Sequence, residues 1–382
     1  MKIKIINIIL LSVVFSACKK STVDKFNGFQ AGNTLTVAAG LNMEEPRISL
    51  SPDSIYSDIN SGSLFKALPS GFDNNIASFD LPKGYMVVFA ENSDGSGESS
   101  CYVASKAAIR LNFSPRLRDK VSYVRYIPVD NPSKKGVAFT DSNVVKQFNA
   151  SWYYGWSINR PSFGAMNFIP MTWGKGTATV ADVNYLVGRK DANHLLSFNE
   201  PDNPGQSNIA SIDTAIARYR IMMQTGLRLG SPAVEQNNAL AAGKWLPIFM
   251  DSAKAKKLRI DYVCLHWYDW GAENSNTGGD TLIAEQVFTR FKAYVERARL
   301  TYPDQKIWLT EYNCNPSRNA RPNLIKYFMQ LSSEWLNTVP YVERYAYFQT
   351  RTNAVDANGV LNDLAKYWNN LPSPPVFPAN ID

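Results

Sequence analysis

From Ser133 onward the chain alternates short apolar runs with longer amphipathic stretches, and this alternation narrows the possible folds further than any other feature. The runs fall at 136-GVAFT-140, 150-ASWYYGW-156, 167-NFIPMTW-173, 194-HLLSFNE-200, 227-LRLGSPA-233, 261-DYVCLHWY-268, 306-KIWLTEY-312 and 343-ERYAYFQ-349. They are apolar without helical period and bounded by turn residues, as strands covered on both faces are. Between them Ile212, Ala215, Ile216, Tyr219, Met222 and Met223 keep one helical face, as do Val287, Phe291, Val295 and Ala298. Strand and helix alternating in this way imply parallel strands joined by right-handed crossovers. The stretch from Ser133 to Asp382 has the length of about 250 residues typical of a (β/α)8 TIM barrel. A doubly wound open sheet is the competing α/β architecture, but no glycine-rich phosphate loop follows the first strand.

Ahead of this region the pattern is different. Within residues 31–130, the stretches NTLTVAAG, PRISLSP, GYMVVFAEN, SCYVASKAAIRLNF and VSYVRYIPV read as short strands, with 92-NSDGSG-97 as a hairpin connection. They predict a small all-β, sandwich-like domain. With no exposed aromatic row legible in it, a spacer or packing role is expected. The opening MKIKIINIILLSVVFSAC has two lysines, an apolar stretch too short to span a bilayer, and small residues before a cysteine. It resembles a bacterial lipoprotein signal. Residues 1–17 are then the signal peptide, Cys18 the lipidated residue and 18–30 a polar tether. The expectation is a lipid-anchored envelope protein, held at the outer membrane on its periplasmic face or at the cell surface.

The stretch 193-NHLLSFNEPDNPG-205 places a carboxylate where a buried strand stops. Pro201 cannot donate a ladder hydrogen bond, so Glu200 sits at or beside the strand's last position. The run ending in 310-TEYN-313 puts Glu311 at an equivalent tip. In a barrel the C-terminal strand ends share one mouth, where active sites form. Two carboxyl groups facing each other there can flank a glycosidic bond, one protonating the leaving oxygen and the other attacking or activating water. A carboxylic acid that must give up a proton near neutrality is helped by a neighbouring carboxylate, because like charges disfavour the second ionisation. Trp152, Tyr153, Tyr154 and Trp156, then Trp173, then His266, Trp267 and Tyr268, then Tyr347 and Phe348 close other strands. Rings at one end of several strands suit the apolar faces of sugar rings, although alternation assigns some of them to the core. His194, at the start of its strand, belongs to the barrel bottom and reads as structural.

Composition excludes other classes. The formal charge of +7 is diffuse, with no basic run longer than two residues, which argues against nucleic acid. With two histidines, and with Cys101, Cys264 and Cys314 lacking zinc-ligand spacing, neither a metal nor another cofactor is expected. Whether Cys264 and Cys314 meet is left open.

The ordered set KKGVAF, SWYYGW, FIPMTWG, LLSFNEPD, LGSPAV, DYVCLHWYDW and IWLTEYN is similar to glycoside hydrolase family 128, in the clan of retaining (β/α)-barrel glycosidases. The resemblance covers most of residues 133–350 and is silent on residues 19–130. It implies that Glu200 is the acid/base, Glu311 the nucleophile, and that Asn199 holds the sugar 2-hydroxyl. It also implies hydrolysis of laminarin-type β-1,3-glucan, in endo fashion; a monomer is expected. Trp156, Trp173, His266, Trp267, Tyr268, Tyr312 and Phe348 are the expected substrate contacts. The alternatives are a noncatalytic glycan-binding lipoprotein on the same fold, a structural envelope lipoprotein, and a same-clan hydrolase of another β-glycan.

Overall fold

The computed structural model describes residues 32–52, 54–58, 64–130, 132–270, 275–315, 318 and 320–376. The expected signal peptide, Cys18 and the tether lie outside the described residues. Strands β1 (Leu35–Ala38), β2 (Arg47–Leu50), β3 (Ser54–Tyr56), β4 (Phe65–Lys66), β5 (Ser78–Leu81), β6 (Tyr85–Ala90), β7 (Ser99–Val103), β8 (Ile109–Asn112) and β9 (Tyr123–Pro128) form two sheets. Their orders are β2-β1-β5-β8 and β4-β3-β9-β6-β7. Leu35, Val37 and Phe79 from the first share a core with Val87, Phe89 and Tyr126 from the second. The hairpin read at residues 92–97 joins β6 to β7. The stretch 100–113, expected as one strand, is two: β7 pairs with β6, whereas β8 pairs with β5 in the other sheet. The chain changes sheets between them, so no single alternation runs through the segment.

The second sheet is apolar on both faces. Val87 and Phe89 enter the core between the sheets, while Met86, Val88 and Ala90 join the larger core that contains Met222 and Met223. The period of 2 along a strand thus serves two cores. Residues 31–382 form one compact unit.

The remaining elements follow in the order β10 (Lys135–Ala138), α1 (Ser142–Val145), β11 (Trp152–Tyr154), β12 (Asn167–Phe168), α2 (Val180–Val187), β13 (His194–Leu195), α3 (Ile212–Met223), β14 (Arg228–Leu229), α4 (Trp245–Ala255), β15 (Tyr262–Tyr268), α5 (Asp280–Thr301), β16 (Lys306–Asn313), α6 (Pro322–Thr338), β17 (Val342–Tyr347), α7 (Arg351–Ala354) and α8 (Asp363–Asn370). Six strands make a parallel sheet in the order β12-β11-β10-β17-β16-β15, and β13 and β14 form a parallel pair. Parallel bridges Met171–Leu196 and Gly230–Tyr262 connect that pair to the two edges of the sheet. This is a mixed α/β fold on parallel strands. Strands β12 and β14 are shorter than expected because Pro170 and Pro232 follow closely and cannot donate to a ladder, whereas β13 stops at Leu195 and its pairing on the β14 side resumes only at the isolated Asn199–Ala233 bridge.

Two layers of side chains hold the strands. Trp152, Tyr154, Met171, Leu196, Tyr262 and Trp308 pack on one another on the face turned from the helices. Val137, Tyr153, Leu195, Val263 and Leu309 pack with the helices. Glycines make room for the large rings: a Cβ on Gly136 would lie 2.1 Å from the Trp152 ring, and one on Gly230 would lie 2.5 Å from the Tyr262 ring. The adjacent lysines of the 131-NPSKK-135 segment close helix ends. Lys134 Nζ donates to Leu336 O (3.0 Å) and Val339 O (2.8 Å) at the end of α6, and Lys135 Nζ donates to Trp368 O and Asn369 O (both 3.1 Å) at the end of α8.

Candidate active site

Strand β16 brings Glu311 into position through a break in its own alternation. Leu265 pairs with Leu309, but His266 pairs with Glu311, so Thr310 is an extra residue between them. A bulge of this kind re-aims the side chain that follows it. Glu311 therefore turns to the face that Trp308 occupies, and Tyr312 turns to the helix side. There Tyr312 is fully buried and stacks on Phe291 with ring centroids 4.9 Å apart. On β15 no such break precedes His266, and Tyr262, Cys264 and His266 share one face while Val263, Leu265 and Trp267 share the other. Trp267 packs edge-on against Phe291 at 5.1 Å. The expectation that Trp267 and Tyr312 contact substrate is corrected on these grounds: both are core residues between strand and helix.

Glu200 stands past the end of β13 with a φ of 41°, a left-handed conformation that a non-glycine residue holds only when its surroundings impose it. Its amide donates to Ala233 O (2.6 Å), and its own carbonyl accepts from Asn203 N (3.1 Å). The loop that follows is tied to the next loop by Asn203 Nδ2 to Glu235 (2.7 Å) and Asn238 Nδ2 to Asp202 (2.7 Å).

His266 links the two acids. Its Nδ1 lies 2.9 Å from Glu200 Oε1 and its Nε2 lies 3.6 Å from Glu311 Oε1. Burial by itself would lower the imidazole pKa, but the charge of Glu311, followed by the hydrogen bond and charge of Glu200, outweighs it and the net shift is upward. Glu311 is held by three donors: Tyr154 OH (3.0 Å) and Trp156 Nε1 (3.3 Å) to Oε1, and Tyr268 OH (2.5 Å) to Oε2. Burial and then the Glu311 charge push the hydroxyl pKa values of Tyr154 and Tyr268 well above their ordinary range, so both stay protonated as donors. One ligand atom from each of Glu200, His266 and Glu311 lies within 4.8 Å of the others, a gathering that could in principle hold a cation. The N–H and O–H groups converging on Glu311 point the other way, since they favour a carboxylate already satisfied by donors.

A recess of about 470 Å³ opens over this pair, lined by Glu200, Gln206, Glu235, Gln236, Asn237, His266, Tyr268, Trp270, Glu311 and Phe348. A second of about 380 Å³, walled by Phe139, Asp141, Trp156, Phe348 and Gln349, adjoins it at Phe348. A larger one, about 610 Å³, lies beside α4 and the end of α5, near Met250, Lys254 and Tyr302. It contains neither glutamate, so chemistry and not volume identifies the site.

Of the other expected residues, Trp156 and Phe348 meet edge-on at 6.1 Å beside Glu311. Trp173 packs at the margin of the inner aromatic cluster. Asn199 is buried, donating to Gln206 Oε1 (3.3 Å), and its own Oδ1 has no partner. His194 is buried at the opposite end of the strands, 3.2 Å from Arg228. Cys101, Cys264 and Cys314 are buried free thiols. Trp270 is not among the expected site residues, and Tyr154 is expected only as one of the strand-tip rings and not as a named substrate contact; each follows by alternation from a residue that is named, Tyr154 from Trp156 and Trp270 from Tyr268. Gln206 and residues 235–237 come from loops, where no period marks them.

A pair of carboxylates joined by an imidazole, one of them held in a cage of donors, can deliver a proton from one side and a nucleophile from the other. Residues 134–373 match the family described as the glycosyl hydrolase catalytic core. Among solved structures, the chain is 28% identical to a glycoside hydrolase family 128 (subgroup I) endo-β-1,3-glucanase from Amycolatopsis mediterranei in complex with laminarihexaose, with a TM-score of 0.54 over 63% of this chain and 100% of that one. The same enzyme in complex with laminaritriose gives 29% identity and 0.53 over 62% and 98%. A subgroup III curdlan-specific exo-β-1,3-glucanase from Blastomyces gilchristii in complex with glucose gives 28% and 0.50 over 63% and 100%. No curated protein sequence matches the chain.

Proposed function

The chain belongs to the glycosyl hydrolase catalytic core family, and from that membership we propose that it is a retaining endo-hydrolase of β-1,3-glucan built on an eight-stranded (β/α) barrel. The barrel reading is supported by the two parallel bridges that join β13 and β14 to both edges of the six-stranded sheet. The substrate class is supported by the family 128 β-1,3-glucanases that the chain resembles. The observation that carries the mechanism is the pairing itself: Glu200 and Glu311 meet across His266 with their ligand atoms within 4.8 Å. Retaining glycosidases keep their carboxyl groups about 5 to 5.5 Å apart, whereas inverting enzymes leave room for a water between them.

In the first step a Glu311 oxygen attacks the anomeric carbon, the bond to the leaving oxygen breaks, and that oxygen takes the proton of Glu200. The glycosyl ester on Glu311 is then hydrolysed by water, which loses its proton to Glu200 and returns Glu311 to its carboxylate form. Tyr154, Trp156 and Tyr268 orient Glu311 for attack. Asn199, the residue before the acid/base, is assigned to the sugar 2-hydroxyl, a reading supported by its Oδ1, which has no hydrogen-bond partner. Cys18 would carry the lipid anchor, a reading supported by the 15-FSAC-18 sequence and tested by lipid mass on the mature N-terminus.

The test is product analysis on laminarin beside mixed-linkage glucan, cellulose and mannan, with nuclear magnetic resonance following the anomer first released. Oligosaccharides from laminarin, β-configured at first and lost by about three orders of magnitude or more in Glu200→Gln and Glu311→Gln, are the expected result. Release of the α-anomer first would overturn the retaining mechanism.

A further inference from the structure

Strand β15 ends at Tyr268, the residue whose hydroxyl donates to Glu311, and its last ladder pair joins Tyr268 to Asn313. Beyond that point the tip is held by other means. The amide of Tyr268 donates to Gln236 Oε1 at 2.6 Å, and the amide of Trp270 donates back to Tyr268 O at 2.8 Å, a tight turn with Asp269 at its corner. Asp269 is 3% exposed, although Tyr268 and Trp270 on either side of it line the recess over the glutamates. Arg290 of α5 meets its carboxylate at two points, Nε on Oδ1 and Nη2 on Oδ2, both at 2.7 Å. Arg318, from the segment that follows β16, places Nη1 2.8 Å from Oδ2 and donates from the same nitrogen to Cys314 O. Two-point pairing of a guanidinium with a carboxylate fixes direction as well as distance. One carboxylate therefore ties the tip of β15 to α5 and to the continuation of β16, the strand that carries Glu311. Asp280 and Arg321 join the same two segments at 2.8 Å, but their side chains are 33% and 40% exposed, where water and salt weaken an ion pair. Arg318 is only 6% exposed, so loss of Asp269 would leave a buried cation without its counter-charge.

We propose that Asp269, clamped by Arg290 and Arg318, is a positioning residue for the hydrolysis: it locks the tip of β15 so that the Tyr268 hydroxyl stays aimed at Glu311. The assignment rests on the glucan-hydrolase reading above. Asp269 acts through Tyr268 and is turned toward α5, so its effect belongs to the orientation of the nucleophile and not to the hold on the sugar. A donor held in place before the reaction needs no reorganisation during it, which is where such a clamp contributes to rate.

The test is a double-substitution cycle on the full chain, with laminarin as substrate. Asp269→Asn is expected to lower kcat by about ten- to a hundredfold with KM held within about threefold, and to cost less than about threefold once Tyr268→Phe is present, because the hydroxyl it holds is then gone. Arg318→Met cuts one arm of the clamp and leaves Arg290 in place; it should lower kcat by about fivefold and lose that effect in the same background. An equal fall in both backgrounds, as a merely structural role gives, overturns the proposal, and so does an unchanged kcat or a rise in KM alone. Hydrogen exchange gives a second readout that needs no turnover. The amides of Tyr268 and Trp270 should exchange about tenfold faster in Asp269→Asn and in Arg318→Met, with those of β13 and β14 unchanged; unchanged exchange at Tyr268 and Trp270 overturns the clamp. If the unaltered chain cuts no glucan, the hydrolase reading falls and the exchange result alone decides whether Asp269 locks the tip of β15. If it cuts glucan and the two substitutions act independently, the hydrolase reading stands and the positioning role falls.

Discussion

At the residue scale the donors around Glu311 and the imidazole beside it lead to separate expectations. Tyr268 donates to Glu311 at 2.5 Å, and loss of one aimed donor in a water-poor site lowers turnover by about 10² to 10³. Tyr268→Phe should lower kcat on laminarin by about that factor with little change in melting temperature; a kcat within threefold of the unaltered chain would show that Tyr154 and Trp156 suffice. His266 behaves differently because its pKa is raised in the folded chain. A group with a raised folded pKa binds its proton more tightly in the native state, so its contribution is fully present below the unfolded value of about 6.5 and is lost as pH rises through the folded pKa. Melting temperatures of the unaltered chain and His266→Gln should therefore differ most at about pH 5.5 and converge above neutrality; a gap that widened with pH would contradict the electrostatic account. These residues differ in how visible they are in the sequence. Glu200 and Glu311 are legible as acids at strand tips, but Trp267 is not legible as core, because alternation separates it from His266 without saying which of the two faces the site. Nor is the turn of Tyr312, because the extra residue Thr310 reverses the alternation and nothing in TEYN announces a bulge.

At the scale of elements, the strand ends opposite the site carry buried charge. Arg228, without exposed surface, forms a two-point ion pair with Glu343 and lies beside His194. Burial raises the Glu343 pKa, but the Arg228 guanidinium more than compensates, and the net shift is downward. The pair joins β14 to β17, which are not neighbours in any ladder. Removing one partner strands a charge, at a cost of about 3–5 kcal/mol, whereas replacing both with apolar residues is often neutral. Arg228→Met is expected to lose about that much in denaturant unfolding, and Arg228→Met with Glu343→Leu to regain most of it; equal losses in both variants would mean that packing and not charge is at stake. Gly230→Ala tests the facing element, since its Cβ would meet the Tyr262 ring and one overpacked group costs about 1–3 kcal/mol. Helices α3 and α5 are legible from their apolar faces, because Ala215, Ile216, Tyr219, Val287 and Phe291 are all buried as their spacing requires. Strand lengths are less legible: Leu196 faces the inner cluster and Phe198 the helix side, a spacing of two that regular alternation forbids, so the strand is interrupted after Leu196 and pairing resumes only at the Asn199–Ala233 bridge beside Glu200.

At the scale of the whole molecule, the residues before Ser133 do more than a spacer must. The hairpin tip of β6 and β7 approaches the end of α3 so closely that a Cβ on Gly95 would lie 2.6 Å from Met223 O. Arg125, buried in β9, donates to Thr225 O, and Tyr123 OH donates to Gln224 O at 3.0 Å, so this sheet satisfies carbonyls that the end of α3 leaves open. Met86, Val88, Cys101 and Val103 belong to the same buried cluster as Tyr219 and Met222. The alternation that identified strands in 31–130 could not reveal this, because a face covered by a neighbouring layer and a face covered by its own sandwich have the same apolar signature. The consequence is energetic. A chain beginning at Ser133 leaves two carbonyls without their buried partners, at about 1–3 kcal/mol each, and uncovers several side chains worth about 1.5–3 kcal/mol apiece. A domain's whole margin is about 5–15 kcal/mol, so these losses can consume it. Residues 133–382 expressed alone are therefore expected to aggregate or to melt far below the full chain, even though every catalytic group is present. Arg125→Met in the full chain isolates the capping contribution and should lower stability by only about 1–3 kcal/mol. A soluble 133–382 fragment melting within about two degrees of the full chain would mean that the β module is joined to the catalytic region by covalent continuity and little else.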